Sequence, residues 1–305
     1  MHFADRLEER INKVDSRLVI GIDPHPQRLF GEDSLFVKAN PWLSRESLLR
    51  EFCAILLEVA ETTACAVKPQ AAFFESMGIS GMIVLAECVK EARKKNIPVI
   101  LDAKRGDIGS TAAAYAEAYL EPSSEFFADA LTVNPYLGPD TLTPFVEKAA
   151  QNDCGLFVLV KTSNPGSGAF QDADLSGDGG RLYMRVAKAV KELGEANIGV
   201  GGYSHVGAVV GATYPEELID LREVLSTSYL LIPGYGTQGG TAEDVKGAFK
   251  DGGKGAIVSA SRSIDYAYEK LGEEVTPDSI RAAIMNAAKA AKEDLNNIAR
   301  PTPST

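Results

Sequence analysis

No apolar run in the chain approaches the roughly 20 residues that a membrane span requires, and the opening Met-His-Phe-Ala-Asp-Arg has no apolar signal core. Membrane spans and secretory leaders are therefore not expected. Cysteine is scarce: Cys53, Cys65, Cys88 and Cys154 show no C-x-x-C spacing and stand among apolar neighbours. They read as free, buried thiols of a cytoplasmic protein. Histidine is scarcer still, and His2, His25 and His205 are too scattered for a His-based zinc site. Positive charge is also in deficit. A net charge of −11 argues against a nucleic acid or an anionic membrane as partner, while leaving room for a local cationic pocket and a small anionic substrate. A G-x-G-x-x-G fingerprint is missing after the first apolar strand, where an open dinucleotide-binding sheet would carry it.

What is present is a core and a rhythm. The chain of 305 residues is 45% hydrophobic and 24% charged, enough to bury a sizeable interior. Phe3, Leu7, Ile11 and Val14 recur at helical spacing over residues 3–14. Apolar strands follow at 18–24, 64–69, 98–101, 130–134, 156–161, 206–211, 229–233 and 256–260. Helices are expected between them: from the cap Ser44 to about 61, from the cap Ser80 over 81–95, then 110–120, 139–151, 180–193, from 215, and 241–250. A long last helix over 277–299 opens on Pro277. No composition break marks a second domain. Eight strands alternating with helices predict one (β/α)₈ TIM barrel over residues 1–305, an α/β fold with an irregular insertion at 25–43 and a long loop at 166–180.

In such barrels the chemistry collects where strands end. Those ends carry Asp23, Lys68, Asp102, Lys104, Asp107, Asn134, Ser163, Gln238 and Arg262. Each alone has a bland explanation, as a turn cap or a snorkelling lysine. As one set facing one cavity they form a mixed cation–carboxylate cluster. Side chains alternate along a strand, so Asp102 and Lys104 are expected on one face with Ala103 opposite. Beyond the seventh strand, Pro233 to Gly240 is a glycine-rich loop opening onto a helix, and Arg262 follows the eighth. Backbone amides with a helix terminus behind them, beside an arginine fork, predict a phosphate site.

The D-x-K-x-x-D-I run of Asp102-Ala103-Lys104-Arg105-Gly106-Asp107-Ile108 resembles the orotidine 5′-phosphate decarboxylase family, in its longer bacterial-type branch. So do Gly21-Ile22-Asp23, Val67-Lys68-Pro69, Thr162-Ser163-Asn164-Pro165-Gly166, the Pro-Gly-Tyr-Gly-Thr-Gln-Gly-Gly loop and Ser261-Arg262-Ser263. The resemblance implies decarboxylation of orotidine 5′-phosphate to uridine 5′-phosphate in pyrimidine biosynthesis, without metal or organic cofactor. It implies a network of Lys68, Asp102, Lys104 and Asp107, with Lys104 as cationic stabiliser and proton donor. It further implies a homodimer with shared active sites, in which Asp107 and Thr111 cross the interface. Asp23 would meet the ribose, Ser163 the pyrimidine, and Gln238, Gly239 and Arg262 the phosphate. Two other readings stay open: a metal-dependent sugar-phosphate lyase on a related barrel, and a catalytically silent nucleotide-binding barrel.

Overall fold

A computed structural model of the chain describes residues 1–175, 180–236, 239–272 and 274–300. Its strands are β1 (Leu18–Ile22), β2 (Ala66–Pro69), β3 (Ile100–Arg105) and β4 (Ala130–Val133), then β5 (Gly155–Lys161), β6 (Val206–Val210), β7 (Leu230–Ile232) and β8 (Ala256–Ala260). Neighbours pair in parallel in the order β2-β1-β8-β7-β6-β5-β4-β3. Bridges Val67–Val99 and Gln70–Asp102 join the two ends and close the barrel. The expected fold class is the one observed.

Closure explains why the strands read as continuous apolar runs. Both faces are covered, one by the barrel interior and the other by helices. Inside, Val19, Ile100, Phe157, Leu231 and Ile257 form one apolar cluster with Phe3, Leu7 and Ile11 of the first helix, Phe3–Val14. That helix seals the end of the barrel where the strands begin, and Phe3 meets Phe157 edge-on at 6.1 Å. Outside, Leu18, Ile20, Leu131 and Val258 join the larger cluster with the surrounding helices. Phe157 is fully buried, so truncating it to alanine would remove about 3–5 kcal/mol of stability.

Several local expectations are corrected. Ser80 does not cap its helix; it lies inside Gly78–Lys94, which starts two residues earlier at a glycine with φ +66°. The insertion at 25–43 is not irregular throughout, since Pro26–Phe30 and Leu35–Ala39 are short helices and Ser34 caps the second. The helix expected over 241–250 is a 3₁₀ turn, Glu243–Ala248. There Asp244 holds both the amide and the hydroxyl of Thr241 at 2.7 Å, which tightens the first turn. The β3 strand runs on to Arg105, and its register against β4 slips between Leu101 and Arg105.

Candidate active site

Asp102 is the hub. It sits near the end of β3 with only 7% of its surface exposed. Its Oδ2 accepts from Lys68 Nζ at 2.7 Å and from Gln70 Nε2 at 3.2 Å. Its Oδ1 accepts from Lys104 Nζ at 2.6 Å and from Thr132 Oγ1 at 2.9 Å. Four donors on one carboxylate, two of them cationic, fix its orientation and its charge. Burial acts to raise its pKa, but Lys68 and Lys104 outweigh burial and hold it well below the usual carboxylate range. Burial would likewise lower the pKa of Lys68, yet Asp102 and Asp23 prevail and it is raised. Both partners of this buried pair are therefore charged at neutral pH.

Lys104 reaches that carboxylate by a route that alternation does not describe. Its φ is +48°, a left-handed conformation on a residue that is not glycine. Such a conformation costs a lysine roughly 1–2 kcal/mol. Thr132 offsets the strain, since its Oγ1 accepts the Lys104 N–H at 2.9 Å while donating to Asp102. The register slip of β3 and the left-handed residue are one feature, a bulge that re-aims a side chain. Lys104 thus converges on Asp102 as expected, though through a kink and not through plain alternation. Its side chain is 44% exposed and faces the cavity.

That cavity, of about 1120 Å³, is lined by Asp23, Lys68, Asp102, Lys104, Asn134, Ser163 and Arg262 among others. Arg262 lies at its edge, exposed, and makes no ion pair among the described residues. Burial raises the pKa of the Asp23 carboxyl, against the pull of Lys68 and a hydrogen bond from Ser261. Asp107 and Thr111 do not line this cavity. The Asp107 carboxylate accepts the neighbouring Ile108 N–H at 2.7 Å, and Thr111 is exposed on the first turn of Gly109–Leu120.

The glycine-rich loop departs from expectation. Gln238 falls outside the described residues. Gly239 is exposed and donates its N–H to Gly236. The amides of Gly236 and Gly240 bond Gly240 and Gly234 in turn, so three loop amides are engaged within the loop. The loop does not run on into an α-helix, because a 3₁₀ turn follows it.

Residues 16–273 match the family described as orotidine 5′-phosphate decarboxylase / HUMPS. The chain belongs to the orotidine 5′-phosphate decarboxylase / HUMPS family. Curated relatives named orotidine 5′-phosphate decarboxylase include one from Rhodopirellula baltica, 44% identical over 302 residues, covering 97% of this chain and 98% of its own. Another, from Deinococcus radiodurans, is 43% identical over 295 residues and covers 96% and 97%. Among solved structures, Leishmania donovani OMP decarboxylase superposes with a TM-score of 0.73 at 33% identity, covering 98% of this chain and 99% of its own.

Within this orotidine 5′-phosphate decarboxylase / HUMPS framework the site holds residues that sequence reading passed over. Gln70 and Thr132 complete the Asp102 shell, and Asp265 and Tyr266 lie against Asp23. Thr132 carried a signal, as the lone hydroxyl in the apolar run of β4. The others lie beyond the last strand residue, where no periodicity points inward.

Proposed function

We propose that this chain decarboxylates orotidine 5′-phosphate to uridine 5′-phosphate, a step of de novo pyrimidine biosynthesis. The observation that carries the reading is the Lys68–Asp102–Lys104 array at the cavity, in a chain 44% identical to a protein of that name. When the bond from C6 to the carboxylate breaks, its electron pair stays on C6 and carbon dioxide leaves. The Lys104 ammonium stabilises that charge and donates a proton to C6, leaving a neutral amine that recovers its proton from solvent. Asp102 holds Lys104 and Lys68 in place, so the positive charge is oriented before the reaction begins. Asp23 takes a ribose hydroxyl, Ser163 the pyrimidine, and Arg262 the phosphate with Gln238 and Gly239. Asp107 and Thr111 complete the site of a second subunit in a homodimer, which accounts for their distance from the cavity of their own chain.

The donor set does not fit a divalent cation. Both Asp102 oxygens already accept lysine ammonium groups, and among the described residues no cluster of three His, Cys, Asp or Glu side chains could surround a metal. Turnover of orotidine 5′-phosphate by the purified protein in excess EDTA tests the reading. Sustained carbon dioxide release is expected. Loss of activity in EDTA would indicate the metal-dependent lyase, and uridine 5′-phosphate binding without turnover would indicate a silent nucleotide-binding barrel.

A further inference from the structure

Two adjacent residues beyond β8 hold both backbone polar groups of Asp23. The Asp23 N–H donates to Asp265 Oδ2 at 3.0 Å, and the Asp23 carbonyl accepts from the Tyr266 hydroxyl at 2.8 Å. The same hydroxyl accepts the His25 N–H at 2.7 Å. Asp265 is 0% exposed and Tyr266 4%. The Tyr266 ring packs on Phe52 at 5.7 Å and lies beneath the Arg28 guanidinium at 5.0 Å, so the hydroxyl itself is held still. Two residues before Asp23, Gly21 makes room for the same segment: a Cβ there would fall 1.8 Å from Ser261 Oγ.

The barrel does not need this grip for closure, because β1 and β8 already pair from Leu18–Val258 to Ile20–Ala260. A wholly buried carboxyl is also a costly acceptor for one amide. What the grip does fix is the direction of a single side chain. Asp23 lines the cavity, and its Oδ1 is buried with no hydrogen-bond partner among the described residues. A buried acceptor at a cavity wall calls for a donor supplied by the ligand.

We infer that Asp265 and Tyr266 are positioning residues for the reaction, setting the Asp23 carboxylate where it accepts from a sugar hydroxyl of the substrate. The inference rests on the ribose reading of Asp23 given above. Asp265 does not line the cavity and Tyr266 does; the role inferred for both runs through the Asp23 peptide groups.

Tyr266→Phe, Asp265→Asn and Asp265→Leu, each made in the wild-type and Asp23→Ala backgrounds, test it on the full chain. The readouts are kcat/KM for orotidine 5′-phosphate and the affinities of uridine 5′-phosphate and its 2′- and 3′-deoxy forms. Tyr266→Phe removes the donor to the Asp23 carbonyl at nearly constant volume, while the His25 N–H keeps its bond to that carbonyl at 2.8 Å, and should lower kcat/KM about three- to tenfold, the scale of one net hydrogen bond. Asp265→Asn keeps an acceptor and should rescue most of what Asp265→Leu loses. In the Asp23→Ala background the further loss should vanish, because residues acting through one group are not additive. The affinity lost on removing a sugar hydroxyl should shrink in Tyr266→Phe as it does in Asp23→Ala.

Losses of full size in the Asp23→Ala background would overturn the inference and assign both residues to barrel stability. Should Asp265→Leu fail to fold, the Tyr266→Phe cycle alone decides. If the wild-type enzyme binds the deoxy forms as tightly as uridine 5′-phosphate, the ribose reading of Asp23 falls and takes the inference with it. Decarboxylation would then stand unaffected.

Discussion

A lysine at φ +48° is held in place by a threonine on the neighbouring strand and by the aspartate it serves. Lys104→Ala keeps the Cβ, and so the left-handed strain, and leaves no cavity in the core, since the side chain is 44% exposed. The variant should fold, bind product and turn over about 10²- to 10⁴-fold more slowly, the usual scale for general acid catalysis; single-turnover kinetics on orotidine 5′-phosphate checks this. Asp265 makes a different prediction, about pH. Burial, with Asp23 beside it and Lys68 opposing, holds its pKa well above the ordinary carboxylate value. The folded state then keeps a proton that the unfolded chain releases near pH ~3.9. The stabilisation is complete below that pH and is lost as pH rises toward the folded pKa. Asp265→Asn removes the titration, so its thermal midpoint should gain on wild type between pH 4 and pH 8; a constant difference would mean that Asp265 is ionised. Asp23, Lys68, Asp102 and Lys104 were legible in the sequence because each closes an apolar run with a charge. Asp265 and Tyr266 were not, since their importance lies in a contact with residue 23 and not in their own neighbourhood.

At the scale of elements, the strand–helix rhythm was legible because strands buried on both faces leave unbroken apolar runs. The long amphipathic helices, such as Pro277–Ala299 with its Thr276 cap, announced themselves equally. Single turns did not. Pro26–Phe30, Leu35–Ala39 and Glu243–Ala248 are too short to repeat a 3.6-residue period. The bulge in β3 was hidden for another reason: register is a relation between two strands, and one strand's sequence does not state it. The corner formed by β7, β8 and the loop between Gly234 and Gly240 carries the phosphate prediction. With three loop amides engaged internally, the proposed phosphate site rests chiefly on Arg262. Charge-assisted hydrogen bonds contribute roughly 1.5–3 kcal/mol, so Arg262→Ala should lower kcat/KM about ten- to a hundredfold or more. Orotidine, which has no phosphate, should show almost no loss. Steady-state kinetics on both substrates decides, and equal losses would remove the phosphate assignment.

For the whole molecule, the separation of Asp107 and Thr111 from their own cavity makes the assembly testable. Inactive Lys104→Ala and Asp107→Ala proteins, mixed under conditions of subunit exchange, should regain activity, because one hybrid site carries neither lesion. Heterodimers shown to form yet remaining inactive would mean that the sites are not shared. The β1–β8 seam has a consequence in time as well. Asp23 and Tyr266 are 243 positions apart. At about 5–20 residues per second, roughly 12–50 s separate their synthesis on the ribosome. A nascent chain holding Asp23 and Lys68, and even the complete Asp102 shell, still lacks the hydroxyl that fixes the turn after β1. Maturation of the site is therefore governed by the arrival of the eighth strand, however early the first seven have folded.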